Sequence, residues 1–98
     1  MSEKDIERRM CELVRKRGGL TYKFISPGNS GAPDRIVITP TGSVWFVELK
    51  TEKGKLTKLQ RHQLAELEKR GANTRVIFGL KAAIDFVKEV MGNDNHGG

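Results

Sequence analysis

Asp34, Glu48 and Lys50 are the residues whose types and spacing could do chemistry together. Two carboxylates held side by side repel unless a cation sits between them. Two or three hard oxygen ligands with open water positions suit Mg²⁺. A bound ion of that kind lowers the pKa of a water and shields charge developing on a phosphate. A lysine beside it could steady that water or help to deprotonate it.

The turn chemistry places these three groups together. Pro40-Thr41-Gly42 lies between two segments rich in β-branched and aromatic residues, 34–39 and 44–50. Proline suits the first central position of a type I turn and glycine a following left-handed residue, the signature of a three-residue hairpin loop with a bulge. That loop pairs Thr39 with Ser43, and counting back pairs Ile36 with Phe46 and Asp34 with Glu48. Directly opposed residues of an antiparallel pair share a face. Lys50, two residues beyond Glu48, shares it too. Arg35 points to the other face and is assigned no chemistry. A salt-bridge cluster at the sheet end is the plain alternative. The glycine- and proline-rich loop 26–33, which leaves room for a backbone to approach, weighs against it.

The remaining elements must hold that hairpin. A helix is expected from about Glu3 to Arg17, with Ser2 and Asp5 spaced as a capping box and Ile6, Met10, Leu13 and Val14 as its apolar stripe. Gly18-Gly19 ends it. Tyr22 to Ile25 reads as a short strand. A second helix starts after Thr57, where Thr57 and Gln60 have capping-box spacing, and Gly71 stops it. Thr74 to Phe78 is a fourth strand. Lys81 to Met91 is a last helix with Ala83, Ile84, Val87 and Val90 inward. The order α-β-β-β-α-β-α predicts an α/β fold, a mixed sheet flanked by helices. Residues 1–91 are expected to form one domain, and 92–98 a disordered tail in which His96 is inert. His62 is expected half-buried on its helix, and the lone Cys11 a small core residue.

Composition narrows the function classes. The chain has 98 residues and a net charge of +6, from 18 basic against 12 acidic side chains, an excess that attracts polyanions. One cysteine excludes an internal disulfide and a cysteine-based zinc site. No apolar run approaches the length of a membrane span, and no apolar signal region follows the N-terminus. An intracellular, cytoplasmic location is therefore expected. Lys23, Lys53, Lys55, Lys58 and Arg61 flank the carboxylates and form a plausible phosphate track, and Ser26, Asn29 and Ser30 could donate to a phosphate from the loop.

Pro33-Asp34, thirteen residues, then Glu48-Leu49-Lys50 resembles the PD-(D/E)XK nuclease motif. With Gly18-Gly19, Tyr22-Lys23-Phe24, Ser26-Pro27-Gly28, Gly31-Ala32-Pro33-Asp34-Arg35, Phe46-Val47 and Gln60, residues 3 to 80 resemble the stand-alone VRR-NUC domains of bacteriophages and prophages. The resemblance implies a restriction-endonuclease-like fold and metal-dependent phosphodiester hydrolysis. It implies that Asp34, Glu48 and the main-chain carbonyl of Leu49 bind Mg²⁺ or Mn²⁺ and that Lys50 positions the attacking water. It implies a further carboxylate from the first helix, with Glu7 the best match and Glu3 the runner-up, and a site role for Gln60; a helix cap is the plain alternative, and both could hold, since the helix start faces the sheet end. The substrate expected from the resemblance is DNA, branched as in a Holliday junction, cut by a homodimer. Nicks, flaps or forks are the rival substrates, and a catalytically inactive DNA-binding module the rival class. Trp45, Phe86 and Met91 are the expected dimer patch.

Overall fold

The computed structural model describes residues 1–92. Its elements run α1 (Glu3–Lys16), β1 (Leu20–Lys23), β2 (Arg35–Ile38), β3 (Val44–Lys50), α2 (Lys58–Lys69), β4 (Asn73–Phe78) and α3 (Gly79–Met91). The expected element order and the mixed sheet are both present. The four strands lie side by side in chain order, with β1, β2 and β3 antiparallel and β4 parallel to β3.

Local chemistry explains most boundaries. The Ser2 hydroxyl accepts from the Asp5 N–H at 3.1 Å while the Asp5 carboxylate accepts from the Ser2 N–H at 3.4 Å, so two of the orphan donors of α1 are satisfied. The hairpin closes as the turn residues demand: Thr39 N–H donates to Ser43 at 2.9 Å, Gly42 N–H to Thr39 at 2.9 Å, and Ile36 stands opposite Phe46. A parallel neighbour needs a crossover, and α2 supplies it between β3 and β4.

The core lies on one face of the sheet. Ile6, Met10, Cys11 and Val14 of α1 and Ala83, Phe86, Val87 and Met91 of α3 pack there on Val37, Val47, Leu49 and Ile77. The other face carries Ile36, Phe46 and Glu48, and α2 packs against β4 with Leu64 buried.

Several expectations are corrected. β1 begins two residues earlier than Tyr22, and Ile25 is exposed rather than in the strand. Gly19 allows the early start: a Cβ there would stand 2.9 Å from the Ile38 carbonyl oxygen, so only a glycine lets the chain turn directly onto β2. α3 starts at Gly79, directly from β4. His62 is exposed on α2. Phe86 and Met91 are buried and cannot be a surface patch, and Trp45 is half-buried, its ring edge-to-face with Phe86 at 5.5 Å and covered by the Arg75 guanidinium at 5.2 Å. Ile84 is only partly buried, whereas Val90, also partly buried, packs against the core as expected. The tail reading falls outside the described residues except for Gly92, whose N–H bonds the Lys88 carbonyl at 3.0 Å. Among the described residues no helix is long and apolar enough to cross a membrane.

Candidate active site

Asp34 stands one residue before the last β2–β3 pair, Arg35 with Val47, and therefore at the level of Glu48. Phe24 N–H donates to the Asp34 carbonyl at 2.8 Å, which extends the β1–β2 ladder and fixes the Asp34 backbone. Its side chain accepts from the Leu49 N–H at 3.2 Å. The N–H and C=O of one strand residue point to the same edge, so the Leu49 carbonyl opens on the side where Asp34 sits. Glu3, Lys4, Glu7, Lys23, Asp34 and Leu49 line a cavity there of about 210 Å³.

Three carboxylates meet at this end of the sheet. Oxygens of Glu3, Asp34 and Glu48 all lie within 4.8 Å of one another. Glu3 comes from the first turn of α1, Asp34 from the lead-in to β2 and Glu48 from mid-β3. Glu7, one turn further along α1, is not in this group; its carboxylate accepts from Arg35 Nη1 at 3.0 Å. Arg35 thus turns to the α1 side of the sheet, the face opposite Asp34, as its register dictates.

Glu48 is the most confined member, with 1% of its surface exposed. Its Oε2 accepts from Gln60 Nε2 at 3.1 Å, while Oε1 is buried and, among the described residues, has no hydrogen-bond partner. Burial, then the Asp34 charge, push its carboxyl up to about 8. A buried oxygen without a donor is expensive, and three acids so close want a positive charge. A divalent cation answers both demands, and an all-oxygen donor set is the kind a hard cation takes. The residues present fit such an ion.

Gln60 reaches the site because of how α2 begins. Its Oε1 accepts from the Thr57 N–H at 2.9 Å and its own N–H donates to the Thr57 hydroxyl at 3.1 Å. The capping box and the contact with Glu48 therefore coexist in one side chain. The loop before Asp34 packs on the same turn: Gly31 has φ +86°, and a Cβ there would be 2.6 Å from the Leu59 carbonyl carbon. Lys50 lies two residues beyond Glu48 on the same face, half-buried.

Three comparisons place the chain among known proteins. A family model for the VRR-NUC domain matches residues 4–79. A protein of Acyrthosiphon pisum secondary endosymbiont phage 1, named "Putative nuclease p44", is 46% identical over 65 residues, which cover 66% of this chain and 70% of that protein. A solved structure described as a VRR_NUC domain superposes with a TM-score of 0.82 at 36% identity, covering 88% of this chain and 94% of its own. A second, described as a VRR_NUC domain protein, superposes at 0.75 over 92% of this chain and 88% of its own, at 14% identity that speaks for the fold alone. The mixed four-stranded sheet flanked by helices is that of the VRR-NUC domain. The chain belongs to the VRR-NUC family.

Proposed function

We propose that the protein is a divalent-metal-dependent endonuclease that hydrolyses phosphodiester bonds in DNA. The observation that carries this reading is the carboxylate group of Glu3, Asp34 and Glu48, with the buried Glu48 Oε1 lacking any donor. These three, with the Leu49 carbonyl, would hold the ion, Mg²⁺ or Mn²⁺. When bound, such an ion makes a water acidic and shields the charge that builds on the phosphate. Lys50 then orients the water from the strand face it shares with Glu48 and holds a proton at Nζ. Gln60 fixes the rotamer of Glu48 through Oε2 and leaves Oε1 free for the ion. Lys4 and Lys23 at the mouth of the cavity hold the phosphate backbone by charge.

The preferred substrate in this reading is branched DNA cut by a homodimer. A four-way junction needs two symmetric cuts, and two-fold DNA is most simply matched by a two-fold dimer. One exposed apolar surface supports it. Leu20, Tyr22 and Val44 are 52%, 55% and 41% exposed. They share the sheet face of Ile36, Ile38 and Phe46, on the side away from α1 and α3. A second copy seated there would cover them. Incubation with four-way junction, flap and linear duplex, with Mg²⁺ or EDTA, tests the proposal. Paired symmetric cuts in the junction with Mg²⁺ only are expected. Metal-independent cutting, or none on any DNA, contradicts the nuclease reading; cutting of flaps alone by a monomer contradicts only the junction reading.

A further inference from the structure

The ion pair between Glu7 and Arg35 joins α1 to β2. Arg35 Nη1 donates to Glu7 Oε2 at 3.0 Å and its Nε to the Thr21 hydroxyl at 3.3 Å, so one guanidinium ties α1, β2 and β1. The side chains are 12% and 24% exposed. Arg8–Asp5, by contrast, is 72% and 45% exposed. Surface pairs of that second kind contribute little; a sheltered pair is screened less by solvent and salt.

Its place in the chain gives it a purpose. Glu7 is one helical turn from Glu3, and Arg35 directly follows Asp34. Glu3 and Asp34 are like charges from different elements, so without an ion they push the first turn of α1 away from the sheet. The apolar stripe of α1 anchors that helix from Ile6 onward and stops short of Glu3. We propose that the Glu7–Arg35 pair is a clamp: two positioning residues that keep Glu3 at the distance from Asp34 and Glu48 at which three carboxylates share one cation. Glu7 acts through Glu3 and is not itself a ligand. The inference rests on the metal site proposed above.

Mn²⁺ binding measured by titration calorimetry, beside the melting temperature of the metal-free protein, tests it. Glu7→Ala with Arg35→Ala removes the clamp without changing net charge. Loss of a residue that orients a metal ligand weakens affinity roughly 10- to 100-fold, and that loss is expected here. The exchanged pair, Glu7→Arg with Arg35→Glu, keeps a clamp and should keep most of the affinity. If the double alanine variant does not fold, Arg35→Lys keeps the charge but loses the fork to Thr21 and Glu7, and should also bind Mn²⁺ more weakly. Unchanged affinity in the double alanine or lysine variant overturns the clamp. So does an exchanged pair as weak as the double alanine, because Glu7 would then be needed as a carboxylate. Asp34→Asn separates the two ideas. If the wild-type protein binds no Mn²⁺, or Asp34→Asn binds it equally well, the metal site itself is wrong and the clamp falls with it.

Discussion

Gln60 spans Thr57 and Glu48, accepting at Oε1 from the first at 2.9 Å and donating from Nε2 to the second at 3.1 Å. One amide therefore both starts α2 and selects which oxygen of Glu48 remains free. Gln60→Ala removes both services. A lost cap costs about 1 kcal/mol, which lowers the melting temperature of a domain this size by roughly 4–8 °C. Cleavage should fall further than that, roughly 10- to 100-fold, because Glu48 loses its orientation. Thr57→Ala is the control: it loses the cap and keeps the Glu48 contact, so it should melt lower while cutting at near the wild-type rate.

Burial and the Asp34 charge raise the Glu48 carboxyl to about 8. An acid raised above its unfolded value keeps its proton longer in the folded state, so its stabilising effect is complete below the unfolded pKa and is lost as pH climbs through the folded one. Metal-free protein should accordingly melt highest near pH 5 and progressively lower toward pH 8.5. Asp5, Glu66 and Glu89, held below the ordinary range by hydrogen bonds to Ser2, Arg70 and Arg75, titrate under that window and do not mask it. Glu48→Gln should flatten the profile. A wild-type melting temperature that stays constant or rises from pH 5 to 8.5 contradicts the assignment.

Gly31→Ala should damage the site from outside it. The position has φ +86°, and an added methyl would meet the backbone of Leu59 at 2.6 Å and the Gln60 nitrogen at 2.8 Å. The conformation alone costs about 1–3 kcal/mol for a residue with a side chain, and relief of the clash moves the loop or the α2 N-terminus that carries Gln60. A lower melting temperature together with slower cleavage is expected. Gly28→Ala, where an added methyl meets nothing within 4 Å at φ +81°, should show the backbone cost with cleavage preserved.

Lys50→Ala should slow the chemical step while Mn²⁺ affinity stays near wild type. A positioned proton-handling group contributes about 10²–10⁴-fold in rate. Single-turnover cleavage reads this directly, and a loss of less than a few-fold would assign Lys50 to structure.

The site hairpin was legible because turn chemistry fixes register. Pro40-Thr41-Gly42 sets the loop length, and length alone puts Asp34 at the level of Glu48. Capping boxes at Ser2 and Thr57 were legible for the same reason: they are local hydrogen bonds between side chains three residues apart. What was not legible depended on three-dimensional packing. Glu3 and Glu7 lie on one face of α1, and only the position of Arg35 separates the residue beside Asp34 from the one it pairs with. Trp45, Phe86 and Met91 look like surplus apolar residues until α3 is seen to pack on α1 and β4, with Phe86 against Trp45. The start of β1 turned on the close approach of Gly19 to Ile38, a contact between segments distant in the chain.

The central claim is that Glu3, Asp34 and Glu48 hold one divalent cation for phosphodiester cleavage. Asp34→Ala tests it most directly, because Asp34 is one of the three gathered carboxylates and also accepts from the Leu49 N–H. Cleavage of labelled DNA in Mg²⁺ and calorimetric Mn²⁺ binding should be measured on the same preparation, with DNA affinity as the third reading. The account predicts that cleavage and metal binding are both abolished while DNA affinity persists, since the substitution leaves the phosphate-holding Lys4 and Lys23 in place. Near wild-type cleavage by Asp34→Ala would contradict it.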